Sequence, residues 1–295
     1  MIRPKPLRAG ARIGIVAPAG PAPVERVQAG IDVLESLGFS VAFDPPPPGP
    51  RHYLAGDDGA RAAALEHAFM DPAIHGVWAV RGGFGCARTV RTMNLRAVGF
   101  NPKPLIGFSD LTALLLSVTG ACEIETFHGP VITQLPNLDA RSIEQMAAML
   151  AGEAGSIELD ADREVLRSGT ATGRLVGGNL SVLVSLLGTR NFPQLSGKIL
   201  FLEDVGEPAY RVDRMLTQLR LSGVLANVGG VVIGRFTGVA DGEVETFDNL
   251  WAEFAGFVDG PVVRGLAIGH LSENLTIPVG RLARLSSNSS VIELL

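Results

Sequence analysis

A chain of 295 residues, 46% hydrophobic and 19% charged, carries enough apolar side chains for one large core or two medium ones. This excludes a peptide-sized module or a disordered chain. Its net charge of −5, without any Lys/Arg run, argues against a protein built to hold nucleic acid or anionic lipid, so neither nucleic acid nor membrane is expected as a partner. The two cysteines, Cys86 and Cys122, make neither a metal-ligand spacing nor a disulfide framework. No metal or other cofactor is therefore expected, and a reducing, cytoplasmic compartment is.

Residues 12–18 read as a buried strand closed by Pro and Gly, and 24–37 have the apolar spacing of an amphipathic helix. A short strand over 39–43 precedes the proline tract 45–50, expected to be a rigid extended loop, and Asp57 is placed to cap a helix running to 69. Strand 76–81 enters a glycine loop and a helix over 86–93, then strand 105–108 enters a helix over 111–118. Strands alternating with helices imply a mostly parallel, doubly wound sheet with its ligand site beyond the carboxyl ends of the strands. After a helix over 142–151 the character changes. The expected division is a domain over 1–155, a linker over 156–172 and a second domain over 173–295, although 155–173 also alternates in a way that suits strands. The second domain reads as helix 181–188, strand 198–203, helix 209–222, and strands 230–235 and 262–268.

Ser109 stands between strand and helix in Ile106-Gly-Phe-Ser-Asp, where a sharp turn lifts a hydroxyl clear of the backbone and the helix start offers free N–H groups. Ser followed by Asp reads equally well as a helix N-cap. A serine nucleophile needs a base, usually a His held by a carboxylate. Of His52, His67, His75, His128 and His270, only His128 and His270 stand at strand-end turns. Glu203 closes a very apolar strand, where an acid needs a partner. Either it or Asp204 would cap the turn, Arg211 or Arg214 would pair with it, or an imidazole would. The loop Arg81-Gly-Gly-Phe-Gly-Cys-Ala-Arg88 lacks the marks of a P-loop or a dinucleotide fingerprint. It is read as an oxyanion hole, with backbone N–H groups near Gly83 and Asp110.

Together, Ile15-Val-Ala-Pro, Arg81-Gly-Gly-Phe-Gly, Ile106-Gly-Phe-Ser-Asp, His128-Gly-Pro, Gly177-Gly-Asn-Leu, Leu202-Glu-Asp, Tyr210-Arg-Val-Asp-Arg-Met-Leu and Gly269-His resemble the LD-carboxypeptidase family of serine peptidases. That family includes murein tetrapeptide carboxypeptidases and related microcin-immunity peptidases. The resemblance spans nearly the whole chain. It implies an α/β fold: an N-terminal Rossmann-like doubly wound domain, a C-terminal strand-rich α/β domain, and an active site at their interface. The family's catalytic Ser, Glu and His fall on Ser109, Glu203 and His270. Phe84 and Phe108 stand where relatives often carry Tyr.

What the resemblance implies is release of terminal D-Ala from a cytoplasmic muropeptide tetrapeptide during murein recycling, by a homodimer. Arg81, Arg88 and Arg211 are candidate anchors for the substrate carboxylate. Two alternatives are an immunity-type peptidase acting on a peptide-nucleotide or acyl-adenylate analogue, and a non-catalytic two-lobed protein that binds a small peptide or sugar.

Overall fold

The computed structural model describes residues 1–44, 52–239 and 244–295. The proline tract 45–50 lies outside the described residues. The chain divides into two compact units, Met1–Glu153 with Leu275–Gly280, and Ala154–Asn274 with Arg281–Leu295.

The first unit carries β1 (Arg12–Val16), α1 (Val24–Ser36), β2 (Ser40–Phe43), α2 (Asp58–Met70), β3 (Gly76–Ala79), α3 (Cys86–Thr92), α4 (Leu95–Phe100), β4 (Leu105–Gly107), α5 (Leu111–Cys122), β5 (Thr126–His128), a 3-10 segment (Ile132–Asn137) and α6 (Ala140–Leu150). Asp57 acts as read, its carboxylate accepting from Ala60 N at 2.7 Å to start α2; Asp139 likewise accepts from Ser142 N at 2.8 Å to start α6. β3 and β4 are wholly buried and α5 is buried from Leu111 to Val118, as expected of a sheet covered on its faces.

The second unit follows with β6 (Ser156–Glu158), β7 (Glu164–Arg167), β8 (Thr170–Asn179), α7 (Leu180–Ser185), β9 (Ile199–Val205), α8 (Ala209–Leu221), β10 (Gly230–Thr237), α9 (Val244–Ala255) and β11 (Val262–Arg264). The chain then returns to the first unit for β12 (Ile277–Val279) and ends in the second with β13 (Leu282–Ser286) and β14 (Val291–Leu294). The first sheet has the order β12-β5-β4-β3-β1-β2, with β1 to β5 parallel and β12 antiparallel at the edge. The second has the order β6-β14-β13-β8-β9-β10-β11-β7, with β8 to β11 parallel at its centre and antiparallel strands on both flanks.

The expected linker 156–172 is instead β6, β7 and the start of β8. Its alternating side chains find strand partners in β14, β11 and β13. The second region is likewise not continuous to the C-terminus, because β12 pairs with β5 in the first unit's sheet. Strand 262–268 ends early, at Arg264. Gly265 takes φ +124°, a conformation that ends extended pairing. Among the described residues no helix is long and apolar enough to cross a membrane.

Candidate active site

The carboxyl ends of β3 and β4 bring the glycine loop and Ser109 together. Ser109 adopts φ +64°, a left-handed conformation that costs an L-residue about 1 kcal/mol. Its conformation rules out the simple capping role. Thr112 N bonds the Ser109 carbonyl at 2.9 Å, and the N-cap of α5 is Asp110, with no capping side-chain bond. The strained turn fits because position 82 has no side chain. A Cβ there would sit 2.9 Å from both Cβ and Oγ of Ser109 and 3.4 Å from Asp110 N, so only glycine admits so close an approach.

The Asp110 carboxylate, 5% exposed, turns away from its own helix and accepts from Cys86 N at 2.8 Å. It ties the start of α3, and with it the end of the glycine loop, to the serine turn. Burial pushes the Asp110 carboxyl up, against the lowering effect of the Cys86 N–H. Gly83 takes φ +112°, and neither Gly83 nor Asp110 donates its N–H to a backbone carbonyl among the described residues. Cys86 is fully buried, and burial holds its thiol far up in the neutral form.

The second unit joins Glu203 and His270. β9 is buried from Ile199 to Asp204, and the Glu203 side chain is wholly inaccessible. Its Oε2 lies 3.0 Å from His270 Nδ1. Burial raises the Glu203 carboxyl above its ordinary range; the imidazole of His270, and to a smaller extent the amide of Asn179, oppose that rise. Asp204, its neighbour, is the structural acid. It accepts from Asn179 Nδ2 at 2.9 Å, Ser181 N at 2.8 Å and Val205 N at 2.8 Å, fixing the start of α7. The His270 turn follows Gly269 at φ +135°, whose N–H donates to the fully buried Asn274 Oδ1 at 3.1 Å.

Asn274 and Asn179 escaped the sequence reading. Asn179 had a visible signal, an Asn just before a helix, and it does cap α7 through Val182 N at 3.1 Å. Asn274 had none, because its partner is set by the fold of the turn.

The remaining candidates separate. Arg88 donates to Asp58 through Nε at 2.9 Å and Nη2 at 2.6 Å, and holds the Asp58 carboxyl below its usual range. Arg211 pairs with Glu207 one helical turn back, at 2.8 Å. Both guanidinium groups already face protein carboxylates, which corrects their reading as substrate anchors. Arg81 is exposed, with Nη1 on the Pro21 carbonyl at 3.2 Å beside the glycine loop. His128 is wholly buried in β5, with Phe108 edge-on to its ring at 5.9 Å, so it is no surface base.

Comparison with known proteins accounts for this combination. Family models described as the LD-carboxypeptidase N-terminal and C-terminal domains match residues 13–129 and 172–285. A Streptomyces coelicolor protein described as a candidate carboxypeptidase is 38% identical over 306 residues, covering 100% of this chain and 96% of its own. The murein tetrapeptide carboxypeptidase of Pseudomonas aeruginosa is 33% identical over 288 residues, 94% of each chain. The crystal structure of muramoyltetrapeptide carboxypeptidase from Oxalobacter formigenes superposes with a TM-score of 0.85 at 29% identity, covering 96% of this chain and 98% of that one. With both domain models matched in order and relatives covering nearly its full length, this chain belongs to the LD-carboxypeptidase family of peptidases.

Proposed function

We propose that this peptidase is a serine carboxypeptidase that releases terminal D-Ala from muropeptide tetrapeptides. Ser109 is its nucleophile, His270 its base and Glu203 the orienting acid. The observation that carries the reading is the 3.0 Å contact between His270 Nδ1 and a carboxylate that is wholly buried near the end of β9, two residues before its last, Val205. A carboxylate so placed fixes the imidazole with its proton on Nδ1, which leaves Nε2 to take a proton from a hydroxyl. In this reading the Ser109 turn, strained at φ +64°, supplies that hydroxyl.

In this reading Ser109 Oγ attacks the carbonyl carbon of the penultimate residue as its proton passes to His270 Nε2. The oxygen's developing charge is received by the N–H groups of Gly83 and Asp110. Collapse breaks the amide bond, and His270 returns the proton to the leaving D-Ala nitrogen. Water, activated by the same imidazole, then hydrolyses the acyl-enzyme and restores Ser109. Arg81 is the remaining candidate for the terminal carboxylate. The names of the Pseudomonas and Oxalobacter relatives support the substrate. The two free cysteines are in keeping with a cytoplasmic site of action.

The test is incubation with a murein tetrapeptide ending in D-Ala or in L-Ala. Release from the D form alone is expected, and it falls by about 10³-fold or more in folded Ser109→Ala. Cleavage of the L form, or D-Ala release by Ser109→Ala at the unaltered rate, would overturn the proposal.

A further inference from the structure

We propose that Tyr53 and Phe84 form a stacking subsite for a sugar ring of the substrate, beside the nucleophile. This rests on the muropeptide reading above. Both side chains are large, apolar over most of their surface and half exposed, at 55% for Tyr53 and 50% for Phe84. Their ring centroids lie 6.0 Å apart with planes at 57°, so the two rings open a shallow aromatic corner. Two other exposed rings are already covered: Arg214 lies over Tyr210 at 5.3 Å, and Arg220 over Phe257 at 4.3 Å. Phe100 is also exposed, at 84%, but Tyr53 and Phe84 are exposed as an adjoining pair, and grouped rather than single exposed aromatics mark a contact surface.

Their location ties the pair to the reaction. Phe84 belongs to the glycine loop, two residues after the Gly82 that touches Ser109. The Tyr53 loop is locked to the same carboxyl edge of the first sheet. Ala55 N bonds Ala19 O at 2.9 Å, Gly20 N bonds Gly82 O at 3.2 Å, and Leu54 Cδ2 would lie 2.9 Å from a Cβ at Gly85. The corner therefore stands on backbone fixed relative to Ser109. At its rim, Asp58 and Arg88 form an ion pair whose side chains are 30% and 38% exposed, offering acceptors and donors to hydroxyl and acetamido groups.

An aromatic corner with a polar rim suits a pyranose. The axial C–H groups on one sugar face are weakly positive and meet the negative face of a ring, while the equatorial oxygens reach the polar rim. A muramoyl group, the amino-sugar acyl group in the name of the Oxalobacter relative, has this chemistry.

The experiment compares D-Ala release from tetrapeptide with and without an attached N-acetylmuramoyl group. Wild type is expected to favour the sugar-bearing form. Tyr53→Ala lowers the ratio of the two kcat/KM values by about tenfold with the sugar-free value unchanged, and Tyr53→Phe, which keeps the ring, preserves the ratio. An unchanged ratio in Tyr53→Ala, or an equal loss on both substrates, overturns the subsite. Saturation-transfer NMR with N-acetylmuramic acid on Ser109→Ala protein gives an answer independent of turnover. Transfer to the ring protons, abolished by Tyr53→Ala and kept by Tyr53→Phe, supports the subsite. No transfer to N-acetylmuramic acid, or transfer that Tyr53→Ala leaves unchanged, overturns it. If wild type cleaves neither peptide, the peptidase reading falls while the NMR result still decides this one.

Discussion

Replacing Glu203 by Gln removes a charge and almost no volume, so it isolates what the buried carboxylate does for His270. In the proposed mechanism His270 takes the serine proton, and the cation would form 3.0 Å from Glu203 Oε2. Two unit charges at that distance attract by about 5 kcal/mol at an effective dielectric of about 20. The amide keeps part of this as a neutral hydrogen bond, or else presents its NH2 and drives the imidazole proton to the wrong nitrogen. A loss of about 3–4 kcal/mol of transition-state stabilisation corresponds to a fall of about 10²–10³-fold in kcat.

Stability should move the other way. Burial raises the folded pKa of Glu203 above its unfolded value. The ionised carboxylate then costs nothing below the unfolded pKa, and its cost grows as pH rises through the raised folded pKa. Glu203→Gln should therefore match wild type in urea unfolding at acid pH and become equal or more stable toward neutral pH. D-Ala release with purified variant, alongside urea midpoints at about pH 4 and about pH 8, reads both effects. A kcat within about fivefold of wild type would refute the reasoning that Glu203 serves the imidazole.

Gly82→Ala places a methyl 2.9 Å from Ser109 Cβ and Oγ, so turnover should fall about 10²-fold while circular dichroism stays native. Unaltered kcat would show that the loop does not constrain the serine. Arg81→Ala should raise KM for the tetrapeptide, whereas Arg88→Ala, freed only from Asp58, should leave sugar-free tetrapeptide kinetics unchanged; the reverse pattern would reassign the carboxylate anchor. Asp204→Ala strips the acceptor from two donors at the start of α7 and from Val205 N at the end of β9, and should cost about 3 kcal/mol, seen as a lowered urea midpoint. An unchanged midpoint would mean that those donors find other acceptors.

The central strands of both sheets were legible as apolar runs because β3, β4 and β9 are buried on both faces, and burial demands Val, Ile, Leu and Phe along the whole strand. The flanking strands β12, β13 and β14 were not. They are three to five residues long, and each owes its existence to a partner far away in the chain. α4 is too short to show a period, and the Gly265 turn that cuts β11 short follows an apolar run that continues in sequence.

The candidate chemistry divides in the same way. From residue order alone, Ser109 at a strand-to-helix turn, an acid closing an apolar strand and a His after Gly269 could be named, because local punctuation and the energetic rarity of a buried acid are written in the chain. Which of two adjacent acids faces the imidazole was a tertiary decision: on a strand, neighbours point to opposite faces, so Asp204 turns to α7 and Glu203 to His270. Arg88 likewise looked like an anchor until the fold brought Asp58, thirty positions away, into bidentate contact. Long side chains reach partners that sequence distance does not reveal, so the residue types of the site belong to the sequence and their pairings to the fold.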